Sequence, residues 1–340
     1  MSSSSPGQTS FFSDEETGIL KSPRFTAAEL DEAMRTRNDI PLLDVVVTAV
    51  LFLVPPLALY LYSSIWTGVI GIIVNIHVFN RCAQIVHGSD HNALFASKKL
   101  DLIIGRLAGY LLGYQKQGHK EAHDEHHLFL NSEKDADRVW CEPEARVRSM
   151  LSGWLRDLLL VSAAYRFWQY IPSRRSDGGT PARGSSLTGA MNSFAPIVAI
   201  QLVMVFVYVG AARFNPTLGI AYYLLVYIAP LFVLYPMQIR LRSNVEHSFL
   251  PGYQCITVQD RRVVRSVKAS WVERMIIAPL RGDYHYEHHL FPRMPYYNAP
   301  RVRQMLLNKG FSIPLAQGYL YFVWRKWRAE RAIDQQSSST

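Results

Sequence analysis

At 340 residues, 49% hydrophobic and 19% charged, the chain is too apolar for an ordinary soluble domain of its length. Its three cysteines, Cys82, Cys141 and Cys255, show no paired spacing and argue against a disulfide framework or a thiolate metal site. The net charge of +9 fits loops resting on anionic headgroups or meeting an acidic electron-donor protein, and no nucleic-acid partner is expected.

Residues 1–40 are polar, Ser-rich at first, and read as a partly disordered segment with a short surface helix starting near Thr26. They lack the basic-then-apolar pattern of a cleaved leader, so insertion is expected to begin with the first span. Residues 41–310 read as the membrane domain. Two apolar blocks, Leu42 to about His91 and Phe194 to about Ile239, are each long enough for a pair of roughly 20-residue spans. The expected architecture is all-α and integral to the membrane, with four transmembrane helices in two hairpins, interfacial helices and a cytosolic histidine-rich cap. The turns after the first and third spans hold only Arg213 between them, whereas the remaining connections are rich in Lys and Arg. Both termini and every histidine group are therefore expected on the cytosolic side of this multi-pass protein.

The first span, about Leu42–Tyr62, contains Pro55-Pro56 and is expected to kink. The second, Trp66–His91, makes about 39 Å of helix against a hydrocarbon layer of roughly 30 Å, so its end should protrude, carrying His87 and His91. Steps of three and four back from His87 give Gln84, Asn80 and His77 on one polar stripe that faces the bundle interior. Asn80 and Gln84 are read as supports behind metal ligands. His77, roughly 15 Å below His87, is read as channel lining, which would favour a functionalised substrate; hydrogen bonding between helices is an equal alternative.

Leu100–Leu112 is too short to span and is placed in the interface, as is the Arg146–Tyr170 stretch, where Trp and Leu alternate with Arg. Ser173–Ser186 is a Gly/Ser/Arg linker. Spans three and four are set at Phe194–Ala211 and about Leu218–Tyr235, the fourth continuing to His247. A helix is expected around Ser270–Leu280, and residues 311–340 as a basic, partly disordered tail with helical character.

Of the 11 histidines, nine fall in three groups: His87-Gly-Ser-Asp-His91, His119-Lys-Glu-Ala-His123-Asp-Glu-His126-His127, and His285-Tyr-Glu-His288-His289. On helices each group presents its rings over an arc of roughly 100°, aimed at a common point. Histidine zinc sites use three or four ligands, so this many rings require two metals. No Glu stands three residues before any His, which separates the pattern from the soluble ferritin-like diiron proteins. Imidazole suits iron as well as zinc or copper and leaves positions open for oxygen. His247 stands alone, but it follows an emerging helix as His87 does. A metal-binding membrane protein without turnover would lack part of such a ligand set, and no part is missing.

These boxes resemble those of the membrane fatty acid desaturase superfamily, which includes related hydroxylases and ketolases. The resemblance extends to His91-Asn-Ala-Leu-Phe-Ala-Ser, Asp135-Ala-Asp137, Arg242-Ser-Asn-Val-Glu246-His247 and His289-Leu-Phe-Pro292, and it covers about residues 40 to 305. It is greatest to the bacterial-type branch that includes the rhizobitoxine desaturase. It implies two iron ions held by His87, His91, His123, His126, His127, His285, His288 and His289, with His247 as ninth ligand. It also implies O2 as co-substrate and electrons from a separate donor of ferredoxin or cytochrome b5 type. The implied reaction removes two hydrogens from an acyl chain or related lipid-like substrate, with hydroxylation or ketolation as the alternative. His119 precedes the family box and is given a supporting role. Ala136 and Asp283 replace a common proline and asparagine, and Asp283 is expected to orient a ligand ring through its N–H.

Overall fold

The computed structural model describes residues 19–20, 24–140, 142–164, 187–253 and 255–338, without side chains for 187–193. Residues 1–18, Cys141, the 173–186 linker and the far end of the expected 146–170 helix lie outside the described residues. Helix α1 (Ala27–Met34) begins at Thr26, whose side chain forms a reciprocal capping box with Glu29. The long helices α2 (Asp39–Leu61) and α3 (Ile65–Asp90) follow, then the shorter α4 (Lys98–Leu111), α5 (Lys116–Phe129) and α6 (Val147–Leu158). Two more long helices are α7 (Leu187–Ala211) and α8 (Pro216–His247). The remaining elements are β1 (Ser266–Val267), α9 (Trp271–Ile276), α10 (His285–Leu290), α11 (Ala299–Asn308), β2 (Leu315–Ala316) and α12 (Tyr319–Ser338).

Four of these helices are long and apolar enough to cross a membrane. They close on a core that includes Phe79, Tyr208, Tyr227 and Leu231, while Leu43, Leu57, Phe206 and Leu225 point outward and exposed. Apolar side chains on both inner and outer faces mark helices whose solvent is hydrocarbon. Gly71 sets the spacing, since a Cβ there would stand 2.6 Å from Val226 Cγ1 and 3.4 Å from Pro55 Cβ. Its bare backbone lets α3 seat against both α2 and α8. Pro55 and Pro56 lie inside α2, both buried against this packing rather than facing lipid.

Helix α8 departs from simple α periodicity. Tyr223–Ile228 and Pro230–Leu234 are wound as π-helix, with hydrogen bonds reaching five residues back. Pro230 has no N–H to close an α-turn, and the wider winding accommodates that loss. Each extra residue in a turn shifts later side chains by roughly 100°, so residues beyond Leu234 present a face that 3.6-residue counting does not give.

The segments outside the long helices gather as a polar head at the histidine-bearing end. Its core joins Val147 and Met150 of α6, Leu241 and Val245 of α8, Val267, Ala316, Tyr319 and Phe322. Part of the segment expected as a partly disordered tail, residues 311–340, is instead built into this core, whereas 331–338 continue α12 as a largely exposed helix. Strand β2 pairs in parallel with β1, and Tyr319, Phe322 and Lys326 of α12 are almost wholly buried. The tail's charge misled the reading, because its buried positions Tyr319, Phe322, Lys326 and Ala329 form a narrow stripe among many arginines.

An ion-pair cluster fixes the height of α3 beside α2. Arg81 donates to Asp44 Oδ1 (2.8 Å), to the Asp44 carbonyl (3.0 Å) and to Thr48 Oγ1 (2.8 Å), and the hydroxyl of Tyr296 donates to Asp44 as well. Removing one partner of a largely buried pair strands the other charge, whereas replacing both by apolar groups does not. Asp44→Ala should destabilise the protein by about 3 kcal/mol, and Asp44→Leu with Arg81→Met should recover most of that. Thermal unfolding of the detergent-solubilised variants followed by circular dichroism checks this expectation.

Candidate metal centre

Helix α3 delivers His87 in its last turn and His91 as its C-cap residue. Helix α5 carries His119, His123, His126 and His127; α8 ends at His247; α10 carries His285, His288 and His289. Ring nitrogens of His87, His91, His123 and His288 lie within 4.8 Å of one another, and those of His126, His247, His285 and His289 form a second such cluster. His127 joins the first, with its Nε2 2.9 Å from His288 Nε2 and 3.1 Å from His123 Nε2. The clusters touch, since the rings of His127 and His289 are 4.4 Å apart between centroids.

The His87–His91 box aims at one cluster, as the sequence reading expected, but the two HxxHH boxes do not. On an α-helix, i and i+4 differ by about 40°, but i+3 lies about 60° to the other side, so one HxxHH box can serve two targets. In α5, His123 and His127 enter the first cluster and His126 the second. In α10 the assignment is reversed, with His285 and His289 in the second cluster and His288 in the first. Helices α5 and α10 thus each contribute to both clusters, whereas α3 serves only the first and α8 only the second.

The donor atoms suit bound cations. Nε2 pairs stand 2.8 Å apart for His87 and His288, 2.9 Å for His91 and His123, 2.7 Å for His247 and His285 and 3.1 Å for His285 and His289. A metal roughly 2.1 Å from each nitrogen would set separations of about 3.0 to 4.2 Å between its ligands, so an ion would spread most of these pairs slightly. Two of the rings have their other nitrogen occupied or faced by acid. His126 Nδ1–H donates to Asp135 Oδ1 (2.9 Å), and Asp135 is itself held by the backbone N–H of Asn131 and Asp137. His285 Nδ1 is 3.6 Å from Glu246 Oε2, and Glu246 is gripped by Tyr319 Oη (2.7 Å) and Arg242 Nε (3.2 Å). The Asp135 bond places the proton on His126 Nδ1 and leaves Nε2 as an acceptor, the form a metal takes, and the nearby Glu246 carboxylate favours the same tautomer at His285.

Burial keeps most of the rings neutral, which is the ligating state. It lowers His91 to about 4 and His127 to about 2, and drives His123, His285, His288 and His289 well below the ordinary imidazole range. His126 differs. Burial is the largest influence and lowers it, but the carboxylates of Asp137 and Asp135 together outweigh burial and raise it.

His119 stands in neither cluster. Its Nδ1–H donates to Asp90 (2.6 Å), its ring stacks on Tyr114, and Asp90 also pairs with Lys116 (3.0 Å). Gln84 lies beside His87 and His285 along the cavities next to the clusters. Asn80, expected behind the ligands, instead donates to Gln238 Oε1 (2.5 Å) and to the carbonyl of Ile276 (2.9 Å). His77, expected to line a channel, hydrogen-bonds the carbonyl of Met275. The lower part of the polar stripe thus docks α8 and α9 onto α3, the interhelical alternative. Asp283 pairs with Arg274 Nε (3.1 Å) rather than with a ligand ring, because its side chain is aimed at α9.

Sequence reading passed over Asp90, Lys116 and Tyr319 and gave Asp135 and Glu246 no role. Asp90 sits between His87 and His91, a local signal that could have been used. Nothing in the local sequence singles out Tyr319, which reaches Glu246 from 73 residues away.

A cavity of about 140 Å³ lies against both clusters, walled by His87 and His123 of the first, His126, His247 and His285 of the second, and by Ala83, Trp140, Tyr235 and Ile239. Residues 63–312 match the family model described as fatty acid desaturase. The chain belongs to the fatty acid desaturase family. No curated protein sequence matches it. The matched region contains every clustered histidine, and membership makes the chain an oxidoreductase of a family that typically uses iron. The histidine clusters fit that metal chemically, as neutral imidazole donors with carboxylates set one bond behind them.

Because Asp135 serves only a ring of the second cluster, Asp135→Ala should weaken that site selectively, by about 10- to 100-fold in metal affinity. Iron titration into the metal-free protein should then separate into one unchanged and one weakened binding step.

Proposed function

We propose that this fatty acid desaturase family member is an integral membrane, O2-dependent diiron desaturase that inserts a C=C bond into an acyl chain or related lipid-like substrate. The observation that carries the reading is the pair of interleaved all-nitrogen clusters opening onto one cavity partly walled by the long helices. The motif residues support placing the chain in the bacterial-type branch that includes the rhizobitoxine desaturase. Overall, a –CH2–CH2– unit, O2, two electrons and two protons yield –CH=CH– and two waters. Two irons held by His87, His91, His123, His127 and His288 and by His126, His247, His285 and His289 would supply the oxidising chemistry. The electrons come from a separate donor of ferredoxin or cytochrome b5 type.

The chain's own residues hold and shield the reacting carbons. Ala83, Tyr235 and Ile239 give the cavity an apolar wall from α3 and α8 that seats hydrocarbon and limits water beside the clusters. Asp90, Asp135 and Glu246 keep the rings and their supports in place and offset the charge of two cations without entering the nitrogen sets. The lysine and arginine distribution supports two hairpins, α2–α3 and α7–α8, with the head and both termini cytosolic. Residues 41–310 with α12 form one membrane-and-head unit.

Protein purified in mild detergent with iron supplied should hold about two irons per chain, and His126→Ala or His288→Ala should lose metal while remaining inserted. His247→Ala should reduce iron affinity by more than the roughly 10- to 100-fold typical of a residue behind the ligands. One tightly held zinc and no iron in the active preparation would end the diiron reading.

Lipid and metabolite extracts of expressing cells should show a product lighter by two hydrogens by mass spectrometry. Ala83→Trp, which fills the cavity, should retain iron and abolish that product. A product heavier by one oxygen would assign hydroxylation or ketolation instead. Tags at both termini and in the 173–186 linker should be protected from outside reagents, and tags near Ser63 and Asn215 accessible. A linker open to the outside would sink the proposed topology.

A further inference from the structure

Two helices of the head share an outer face that the metal chemistry does not use. On α12, Tyr319, Phe322, Lys326 and Ala329 are buried, while Leu320, Tyr321, Trp324 and Trp327 are exposed on the opposite side. Among these aromatics stand three arginines, each four residues after its partner. Arg325 lies over Tyr321 (5.8 Å), Arg328 over Trp324 (4.9 Å) and Arg331 over Trp327 (5.1 Å). Helix α9 exposes Trp271, Val272, Met275 and Ile276. The two elements are tied together, because Glu273 Oε1 accepts from the backbone N–H of Tyr319 (2.6 Å) and Leu320 (3.4 Å).

The depth of α9 says what covers this face. Its Met275 and Ile276 carbonyls accept from His77 and Asn80 of α3. His77 is only about 18 Å along the helix from Ile65 at the far end of the span, well short of the roughly 30 Å hydrocarbon thickness. The outward residues of α9 therefore lie at or within the bilayer, and the start of α12 is bonded to them. Exposed Trp and Tyr interleaved with Arg fit the boundary between acyl chains and headgroups, with rings at the apolar edge and guanidinium groups reaching phosphate. Continuity with that depth favours lipid over a soluble partner as the occupant of this face.

We propose that the outer face of α9 and α12 is a lipid-binding collar, seated in the membrane interface with Arg325, Arg328 and Arg331 on anionic phospholipid headgroups. The collar anchors the head independently of the four spans and holds it flat on the bilayer. The inference rests on the membrane reading of the long helices and not on the proposed reaction.

The test uses the full chain in nanodiscs, with Cys82, Cys141 and Cys255 changed to Ser and a nitroxide label at Trp324→Cys, Val272→Cys or, as a solvent reference, Glu121→Cys. In discs of mixed phosphatidylcholine and phosphatidylglycerol, labels at 272 and 324 should be accessible to O2 and several-fold shielded from a water-soluble nickel chelate, relative to 121. With Arg325→Gln, Arg328→Gln and Arg331→Gln combined, shielding at 324 should no longer depend on the phosphatidylglycerol content. In the unlabelled chain, Trp324→Phe with Trp327→Phe should reduce the fluorescence quenched by brominated lipid. Equal nickel access at 324 and 121 would overturn the collar. So would shielding that appears only after a ferredoxin is added, which would assign the face to a protein donor.

Discussion

Nine imidazoles held with their Nε2 atoms facing one another impose the constraint on which this structure rests. At such separations a neutral ring either donates Nε2–H to its neighbour or turns its lone pair inward, and burial opposes protonating both nitrogens. A cation would satisfy many inward acceptors at once, and the rest of the head keeps the rings inward. Asp135 fixes His126, Glu246 faces His285, and Asp90 holds His119 beside the first cluster. Arg242 and Tyr319 in turn hold Glu246. The all-histidine character of the clusters comes from placing every acid one bond further out.

Helix α3 is the member through which membrane and head are aligned. Its Arg81 is bound to α2, its Gly71 lets α8 approach, and its end carries His87 and His91. Between them, His77 and Asn80 grip the carbonyls of α9, and the chain reaches His285 nine residues after Ile276. The polar stripe thus bears on the metal centre indirectly, by fixing the base of the loop that presents α10. Interhelical hydrogen bonding and support of the site, posed as alternatives by the sequence, are partly one role.

Much of this was legible because it depends on local pattern. The four long helices follow from runs of apolar residues, α1 from the Thr26–Glu29 spacing, and the clustered histidines from their density. What was not legible depends on geometry that the local pattern does not carry. The split of each box between two clusters follows from the 100° between i+3 and i+4, but choosing two targets needs the facing helices in place. The π-turns in α8 shift the face on which Asn244 and His247 emerge. Asp283 was assigned to a histidine on its position in the chain, yet Arg274 of α9 lies closer to it in space. The tail was read from its charge, although the stripe Tyr319, Phe322, Lys326, Ala329 needed only a helical count to reveal an inward face.

The crossed use of the two HxxHH boxes also has a meaning in time. Chain emerging from the ribosome presents His87, His91, His123, His126 and His127 early, but these five nitrogens belong to two different clusters, and neither is closed. The first cluster waits for His288 and the second for His247, His285 and His289, while the Tyr319 contact to Glu246 arrives later still. The first cluster thus has four of its five rings early, whereas the second has only His126 until α8 and α10 are made. The second cluster is therefore completed only once α10 has folded back against α5 and the end of α8, so the two sites would become able to hold an ion at different times.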